Sequence, residues 1–327
     1  MNKWLNNLKF NPIPTLISSN NEALIFFTKN DLLGEKKRDI ENLWQLTEPL
    51  KLIRKQKEDG SWKYPGGKKE IRSQENYNQL ETYRKLGIIV EKYGFYKKHP
   101  SIKKAAKFLF KFQTNEGDFR GIYGNQYTPN YSAAIMELLI KAGYKNDIRI
   151  EKGFKWLLSI RQDDGGWAIP FRTIGKRLSV AFYKKDKYQT IKPEKSKPSS
   201  HLITGIVLRA FAAHSKYRKS IEAIKVGEFL KSQFFKKDKY PDRSSISYWT
   251  KFSYPFWWTD ILTSLDSLSL IGFNKDDNDI KKALDWFIKN QYENGLWNTG
   301  YKHKKDKDIN IWATLAVCRV FKNFYRI

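Results

Sequence analysis

The residues best placed to do chemistry are polar side chains that fall in or beside apolar helical stretches. A buried charge is costly unless it is paired or useful, so each one is informative. Asp260 lies in PFWWTDILTSLDSL, directly after Trp257 and Trp258. A carboxylic acid desolvated among aromatic rings can act as a general acid. The indole faces could stabilise a carbocation by cation–π attraction. The competing reading is a first-turn Asp bonded to backbone or paired with a lysine. His201 opens PSSHLITG behind Ser199 and Ser200, which read as helix caps. It is a second catalytic candidate or a hydrogen-bonded wall residue. Glu75 and Glu81 fall with Arg84 in SQENYNQLETYRK and read as a polar cluster, with an internal salt bridge as the default. Tyr131 beside Asn130, and Asn310 near Trp312, hold comparable positions on their helices. Arg172, in IPFRT, is placed to bind an anionic head group or to pin the segment after it. If these helix starts share one orientation, they form a polar, aromatic-rich mouth over an apolar cavity. That mouth suits a ligand with a polar head and a long apolar tail.

Several chemistries are excluded or disfavoured. The single cysteine, Cys318 in LAVCRVF, allows no internal disulfide and no multi-cysteine metal site. No cofactor is expected. The run Asp276-Asp277-Asn278-Asp279 reads as a helix N-cap with acids near the positive helix end. The net charge of +27 comes from 61 Lys+Arg against 34 Asp+Glu. Its plain reading is solvated outer helix faces, and its sharper one is attraction to an anionic membrane surface. The basic residues are spread rather than striped and match no nucleic-acid motif, so no nucleic-acid partner is expected. MNKWLNNLKFNPIP lacks the apolar core of a signal peptide. No run approaches the roughly 18 apolar residues of a membrane span. A cytoplasmic protein, in peripheral contact with membrane, is the expectation.

The elements that must position these residues follow a repeat. Its copies are LIRKQKEDGSW, LFKFQTNEGDF, LLSIRQDDGGW, FLKSQ and FIKNQYENGLW. The first pairs Gln56 with Gly60 and Trp62, the second Gln113 with Gly117 and Phe119, the last Gln291 with Gly295 and Trp297. The third reads as Gln162, Gly165, Gly166 and Trp167, one residue shorter between Gln and Gly. The fourth, at Gln233, lacks the closing turn. Helices are predicted over 11–34, 38–56, 74–94, 101–113, 129–143, up to Gln162, and over 198–215, 221–233, 255–272, 279–291 and 308–324. Those ending in Q…G…W carry Lys and Asp between apolar positions. The others start at Pro or a polar cap and are apolar or small on most faces, hence buried all round. Two concentric layers of helical hairpins explain both kinds. The fold class is therefore all-α, an α/α toroid, with an open α-solenoid as the alternative. One domain over 1–327 is expected, with residues 1–37 completing the ring and 175–198 a basic loop insertion. The repeated Gln can bond backbone at the next turn, the Gly supplies positive φ, and the aromatic ring plugs the gap between outer helices.

The pattern Lys-Gly-x-x-x-Leu/Phe-x-x-x-Gln-x-x-Asp/Glu-Gly-x-Trp/Phe, begun in the third copy by Lys152-Gly153, resembles the QW motif of squalene–hopene and oxidosqualene cyclases. It is also similar to the repeat of protein prenyltransferase β subunits. The resemblance spans roughly residues 38–327. It implies an α/α toroid whose cavity, inside the inner ring, takes a hydrophobic small molecule such as an isoprenoid or other lipid. The departures bear on the reaction. The D-x-D-D acid of class II cyclases is missing, and the 276–279 run does not fit D-D-x-x-D. The prenyltransferase zinc set needs an Asp two residues before its Cys and a later His. Ala316 precedes Cys318 and no His follows, which excludes zinc by that route. Three functions stay open: a terpene-cyclase-like protein with Asp260 as acid, a non-catalytic toroid binding a lipid or protein, and a carbohydrate-active toroid resembling polysaccharide lyases.

Overall fold

A computed structural model describes residues 3–35, 39–68, 71–176, 189–301 and 308–326. Among the described residues the regular structure is helical; extended pairing is limited to isolated bridges in turns, such as Gln56 with Trp62. The α-helices are α1 (Ile13–Ile17), α2 (Glu22–Phe27), α3 (Thr47–Ile53), α4 (Gln74–Tyr93), α5 (Pro100–Phe110), α6 (Pro129–Leu139) and α7 (Ile148–Ser159). They continue with α8 (Pro170–Thr173), α9 (His201–Ala213), α10 (Ile221–Ser232), α11 (Ile261–Ile271), α12 (Asn278–Lys289) and α13 (Ile309–Phe324). The chain divides into two compact units, Ile40–His214 and the combination of Met1–Asp39 with Ser215–Ile327.

Each unit has two layers, as the two kinds of helix predicted. In the 40–214 unit, α6 packs on α4 and α9, while α5 covers α4 and α7 covers α6. Every residue of α6 except Tyr131 is buried, and α9 is buried from His201 through Ala212. The covering helix α7 buries one stripe, Ile150, Gly153, Phe154, Trp156 and Leu157. In the other unit α11 packs on α13, with α10 and α12 against α11. Starts are capped by side chains: Ser73 on α4, Asp147 on α7, Ser200 on α9, Ser220 on α10 and Asp277 on α12. Asp277 accepts from the amides of Asp279 and Ile280, as the N-cap reading of that acidic run expected.

The repeat is a hydrogen-bonded joint. Gln56, Gln113 and Gln291 donate their side-chain amides to the carbonyls of Ser101 (2.9 Å), Arg149 (2.7 Å) and Phe10 (2.8 Å). Ser101 and Arg149 lie in the first turns of α5 and α7, the next covering helices, and Phe10 leads into α1. Each Gln also bonds the carbonyl of its own Gly60, Gly117 or Gly295. These glycines need positive φ, and they also need the space. A Cβ on Gly60 would lie 2.2 Å from the Lys104 carbonyl oxygen, one on Gly117 2.6 Å from that of Lys152, one on Gly295 2.7 Å from Pro12. The aromatic then locks the other layer. The backbone amides of Trp62, Phe119, Trp167 and Trp297 donate to hydroxyls of Thr82, Ser132, Thr204 and Thr314 on α4, α6, α9 and α13. The indoles of Trp62, Trp167 and Trp297 return to the carbonyl ten residues back, of Leu52, Leu157 and Phe287.

That geometry corrects the reading of the third copy, which is not shortened. Its turn bond runs from the Gln162 amide to the Gly166 carbonyl, where the other copies use Lys57, Thr114 and Tyr292, the residues after Gln. Counted back from Trp167, the slot of Gln56 belongs to Arg161. Gln162 instead donates to the carbonyls of Glu194 (2.8 Å) and Lys197 (2.9 Å). The segment after residue 188 therefore takes the place that a covering helix takes elsewhere. It is tied down further by Arg120 on Thr190 and by Gln126 on Gln189 and Ile191. Of the basic loop expected over 175–198, residues 177–188 lie outside the described residues. In the fourth copy, Lys231 pairs with Asp277 at the start of α12.

Some predicted helices are divided. The expected helix over 38–56 is a 3-10 segment, Ile40–Gln45, followed by α3, with Leu46 extended between them. Pro49 has no amide to donate to Gln45, so an α-helix cannot run through. The expected helix over 11–34 is α1, α2 and a π-turn at Thr28–Leu33, because Asn21 caps a fresh start at α2. The expected helix over 255–272 begins only at Ile261, where Asp260 is an extended N-cap. Trp257 and Trp258 thus precede the helix rather than lie on it.

Candidate functional site

Within the 40–214 unit, aromatic and guanidinium groups gather around the first half of α4 and the start of α6. Tyr131, on α6, meets the ring edges of Tyr83 (6.1 Å) and Tyr123 (5.3 Å) almost at right angles. Tyr123 in turn contacts Phe171 at 6.0 Å, and the Arg172 guanidinium lies 5.7 Å from that ring. On the other flank Tyr64 and Tyr77 pair at 5.0 Å; Arg72 sits 5.1 Å from Tyr77 and Arg84 5.5 Å from Tyr64. Edge-to-face rings of this kind hold one another in place. Burial raises the pKa of Tyr131, yet it is the one residue of α6 that is only partly buried. Burial lowers the Arg72 pKa, and the surrounding tyrosines oppose that shift.

A buried ion-pair network underlies the ring cluster. Glu137 on α6 accepts from Arg209 Nε on α9 (2.9 Å) and from Lys141 Nζ (2.8 Å), which also reaches Glu91 at 2.6 Å. Burial pushes the Glu137 carboxyl up, and Arg209 and Lys141 more than offset it, holding it below the usual range. Tyr83 hydrogen-bonds the same Arg209, while burial drives its phenol upward. The network thus ties α4, α6 and α9 together behind Tyr131.

In the other unit, Asp260 is 2% exposed and forms a capping box: its carboxylate accepts from the Thr263 amide (2.8 Å), and its amide donates to the Thr263 hydroxyl (3.0 Å). Trp312 is fully buried and stacks on Tyr254 at 5.5 Å with the rings nearly parallel. Tyr254 accepts from Arg319, which pairs with Asp31 at 2.6 Å and lies 5.1 Å from the Phe27 ring. Asn310 accepts from the Thr299 amide. Trp258 is 39% exposed.

The candidates read from the sequence are thus divided. Tyr131, Arg172 and Glu81 with Arg84 belong to the ring cluster or its border. Glu81 pairs with Lys85 (3.1 Å) and Arg84 (3.8 Å), whereas Glu75 is exposed in the first turn of α4. His201 is buried in the first turn of α9, behind the Ser200 cap. Asp260, Trp257, Trp258, Asn310 and Trp312 lie in the second unit. Sequence reasoning missed Tyr64, Arg72, Tyr83, Tyr123, Glu137, Arg209 and Arg319. Three of these carried a visible signal, a charge in mid-helix among apolar neighbours: Glu137 in AAIMELL, Arg209 in GIVLRAFAA and Arg319 in LAVCRVF. The tyrosines carried none, because Tyr64 and Tyr123 come from irregular segments and Tyr83 from α4. No cluster of metal-ligating side chains and no helix apolar enough to cross a membrane occurs among the described residues.

Comparison with known proteins bears on the same region. The squalene–hopene cyclase C-terminal domain family matches residues 79–177, which hold Tyr83, Tyr123, Tyr131 and Phe171. The squalene–hopene cyclase of Zymomonas mobilis is 32% identical over 68 residues, 21% of this chain and 10% of that protein. The chain thus matches about a tenth of the length of this curated relative. Among solved structures, a variant of the type II terpene cyclase MstE from Scytonema, in complex with geranylgeranyl dihydroxybenzoate, aligns with a TM-score of 0.35 and 13% identity over 86% of this chain and 96% of that one. A protein from Actinoplanes aligns with a TM-score of 0.30 and 11% identity over 88% of this chain and all of that one.

Proposed function

We propose that this chain, whose helical fold is terpene-cyclase-like, binds an isoprenoid or related lipid at the ring cluster around Tyr131. The observation that carries the reading is one partly exposed tyrosine on an otherwise buried helix, gripped edge-on by Tyr83 and Tyr123. Rings held this way present polarisable faces to an apolar or cationic centre, and Arg72 and Arg84 offer charge to a polar head at the same end. The match of residues 79–177 to the squalene–hopene cyclase C-terminal domain family supports a hydrophobic ligand. Binding by itself accounts for these features. A transformation needs an acid: His201 shares the 40–214 unit with Tyr131, while Asp260, the first candidate by sequence, belongs to the other unit. The capping box that engages Asp260 favours the binding reading over acid catalysis.

The test is saturable binding of geranylgeraniol, squalene and geranylgeranyl diphosphate from detergent micelles, with product analysis by mass spectrometry. Truncating Tyr131 or Tyr123 to Ala is expected to weaken binding about tenfold, the loss of one well-packed ring. Folded Y131A and Y123A proteins that bind as tightly as the native chain would overturn the site. Any product that survives in Asp260→Asn removes Asp260 from the acid role.

A further inference from the structure

The 40–214 unit carries a concave feature whose lining residues are none of those in the tyrosine cluster. A groove of about 430 Å³ lies where the loop after α4 meets the turn after α6, lined by Tyr96, Lys97, Lys98, Lys103 and Tyr144. Its walls are fixed. Tyr96 packs on Trp44 at 5.2 Å and donates its hydroxyl to Glu41; Tyr144 packs on Phe110 at 6.0 Å. The backbone of Lys97 is pinned to the Ala142 carbonyl, and its stem runs past Gly143, where an added Cβ would lie 3.2 Å from the lysine Cγ. Lys98 pairs with Glu41 at 2.7 Å. Among the described residues, Lys97 and Lys103 have no carboxylate partner, and no acidic side chain lines the groove. Two lysines without a carboxylate partner, lining a groove walled by two aromatic rings, offer the charge and hydrogen-bond donors that a phosphate group takes.

We propose that this groove binds a phosphate-bearing ligand through Lys97 and Lys103, with Tyr96 and Tyr144 as its walls. The same chemistry could come from a free phosphorylated molecule or from a phospholipid head group, and the two probes used separate them. Pyrophosphate is titrated into the full chain, and sedimentation is measured with phosphatidic acid vesicles. Saturable binding of at least one probe is expected, weakened about tenfold or more by Lys97→Ala with Lys103→Ala, since charge-assisted hydrogen bonds are lost. Lys225→Ala, an exposed lysine on α10, leaves it unchanged. Lysine dependence on pyrophosphate alone identifies a free ligand; lysine dependence on vesicles identifies a head group. Both target lysines are exposed, so the variants are expected to fold. A second measurement needs no variant: the bound probe protects Lys97 and Lys103 from acetylation in the native chain. The proposal is overturned if neither probe binds saturably, if the Lys225 variant loses as much as the double variant, or if acetylation of both lysines is unaffected. Loss shared with the Lys225 variant would assign the binding to the diffuse +27 charge.

Discussion

The hydroxyl that receives the Trp167 amide shows how single residues hold the two layers together. Thr204 Oγ1 accepts from that amide at 2.9 Å and donates to the Trp167 carbonyl at 3.3 Å, and both residues are fully buried. Thr204→Val is expected to lower stability by about 1–3 kcal/mol because a buried amide loses its partner, while Thr204→Ser keeps most of it; equilibrium denaturation measures both. Glu137→Gln leaves Arg209 buried without its counter-charge and is expected to cost about 3–5 kcal/mol by the same measurement. Glu116 supplies a pH signature. Its hydrogen bond from Tyr127, joined by Arg120, outweighs the opposing effect of burial and holds its carboxyl below its ordinary 4.5. Its contribution is therefore complete above that pH and is lost as pH falls through the folded value. Glu116→Gln is expected to flatten this acid-side slope in a pH series of denaturation curves. The sequence exposed the buried charges of this scale only in part. Attention to helix starts brought out Asp260 and Tyr131, whereas the mid-helix Glu137, Arg209 and Arg319 obey the same rule and were passed over.

Among the elements, the joint explains why nearly identical motifs tolerate change differently. Gly60 and Gly165 both have positive φ, at +89° and +96°. A Cβ on Gly60 meets backbone of α5, whereas one on Gly165 meets nothing within 4 Å. Gly165→Ala is expected to cost only the left-handed conformation, about 1 kcal/mol, and Gly60→Ala clearly more, as compared by thermal unfolding. The cause is the neighbour: a covering helix beside the first joint, the segment around residues 194–197 beside the third. The repeat, the two helix kinds and most boundaries were legible because burial and capping write a local pattern. Arg161 in the Gln slot was not, because the adjacent Gln162 offers the same letter one position out of register. Only the turn bond to Gly166 distinguishes them. The true start of α11 was hidden for a similar reason, since its capping box uses a threonine rather than an acid at the third helical position.

Over the whole chain, the joint recurs into the N-terminal segment. The last copy, at Gln291, exchanges hydrogen bonds with Phe10 in both directions, at 2.9 and 2.8 Å. Residues separated by most of the sequence thus complete one repeat, and substituting Gln291 is expected to loosen the N-terminal segment in hydrogen exchange. The repeated scaffold leaves Tyr131 as the one partly buried position on α6, which makes ligand capture the central claim. Native mass spectrometry of the full chain, equilibrated with geranylgeraniol and squalene in a releasable detergent, tests it most directly. The account predicts a one-to-one lipid adduct that is lost or strongly reduced in folded Y131A and Y123A proteins. A folded native chain with no adduct for either lipid, or adducts equally abundant in both variants, would contradict it.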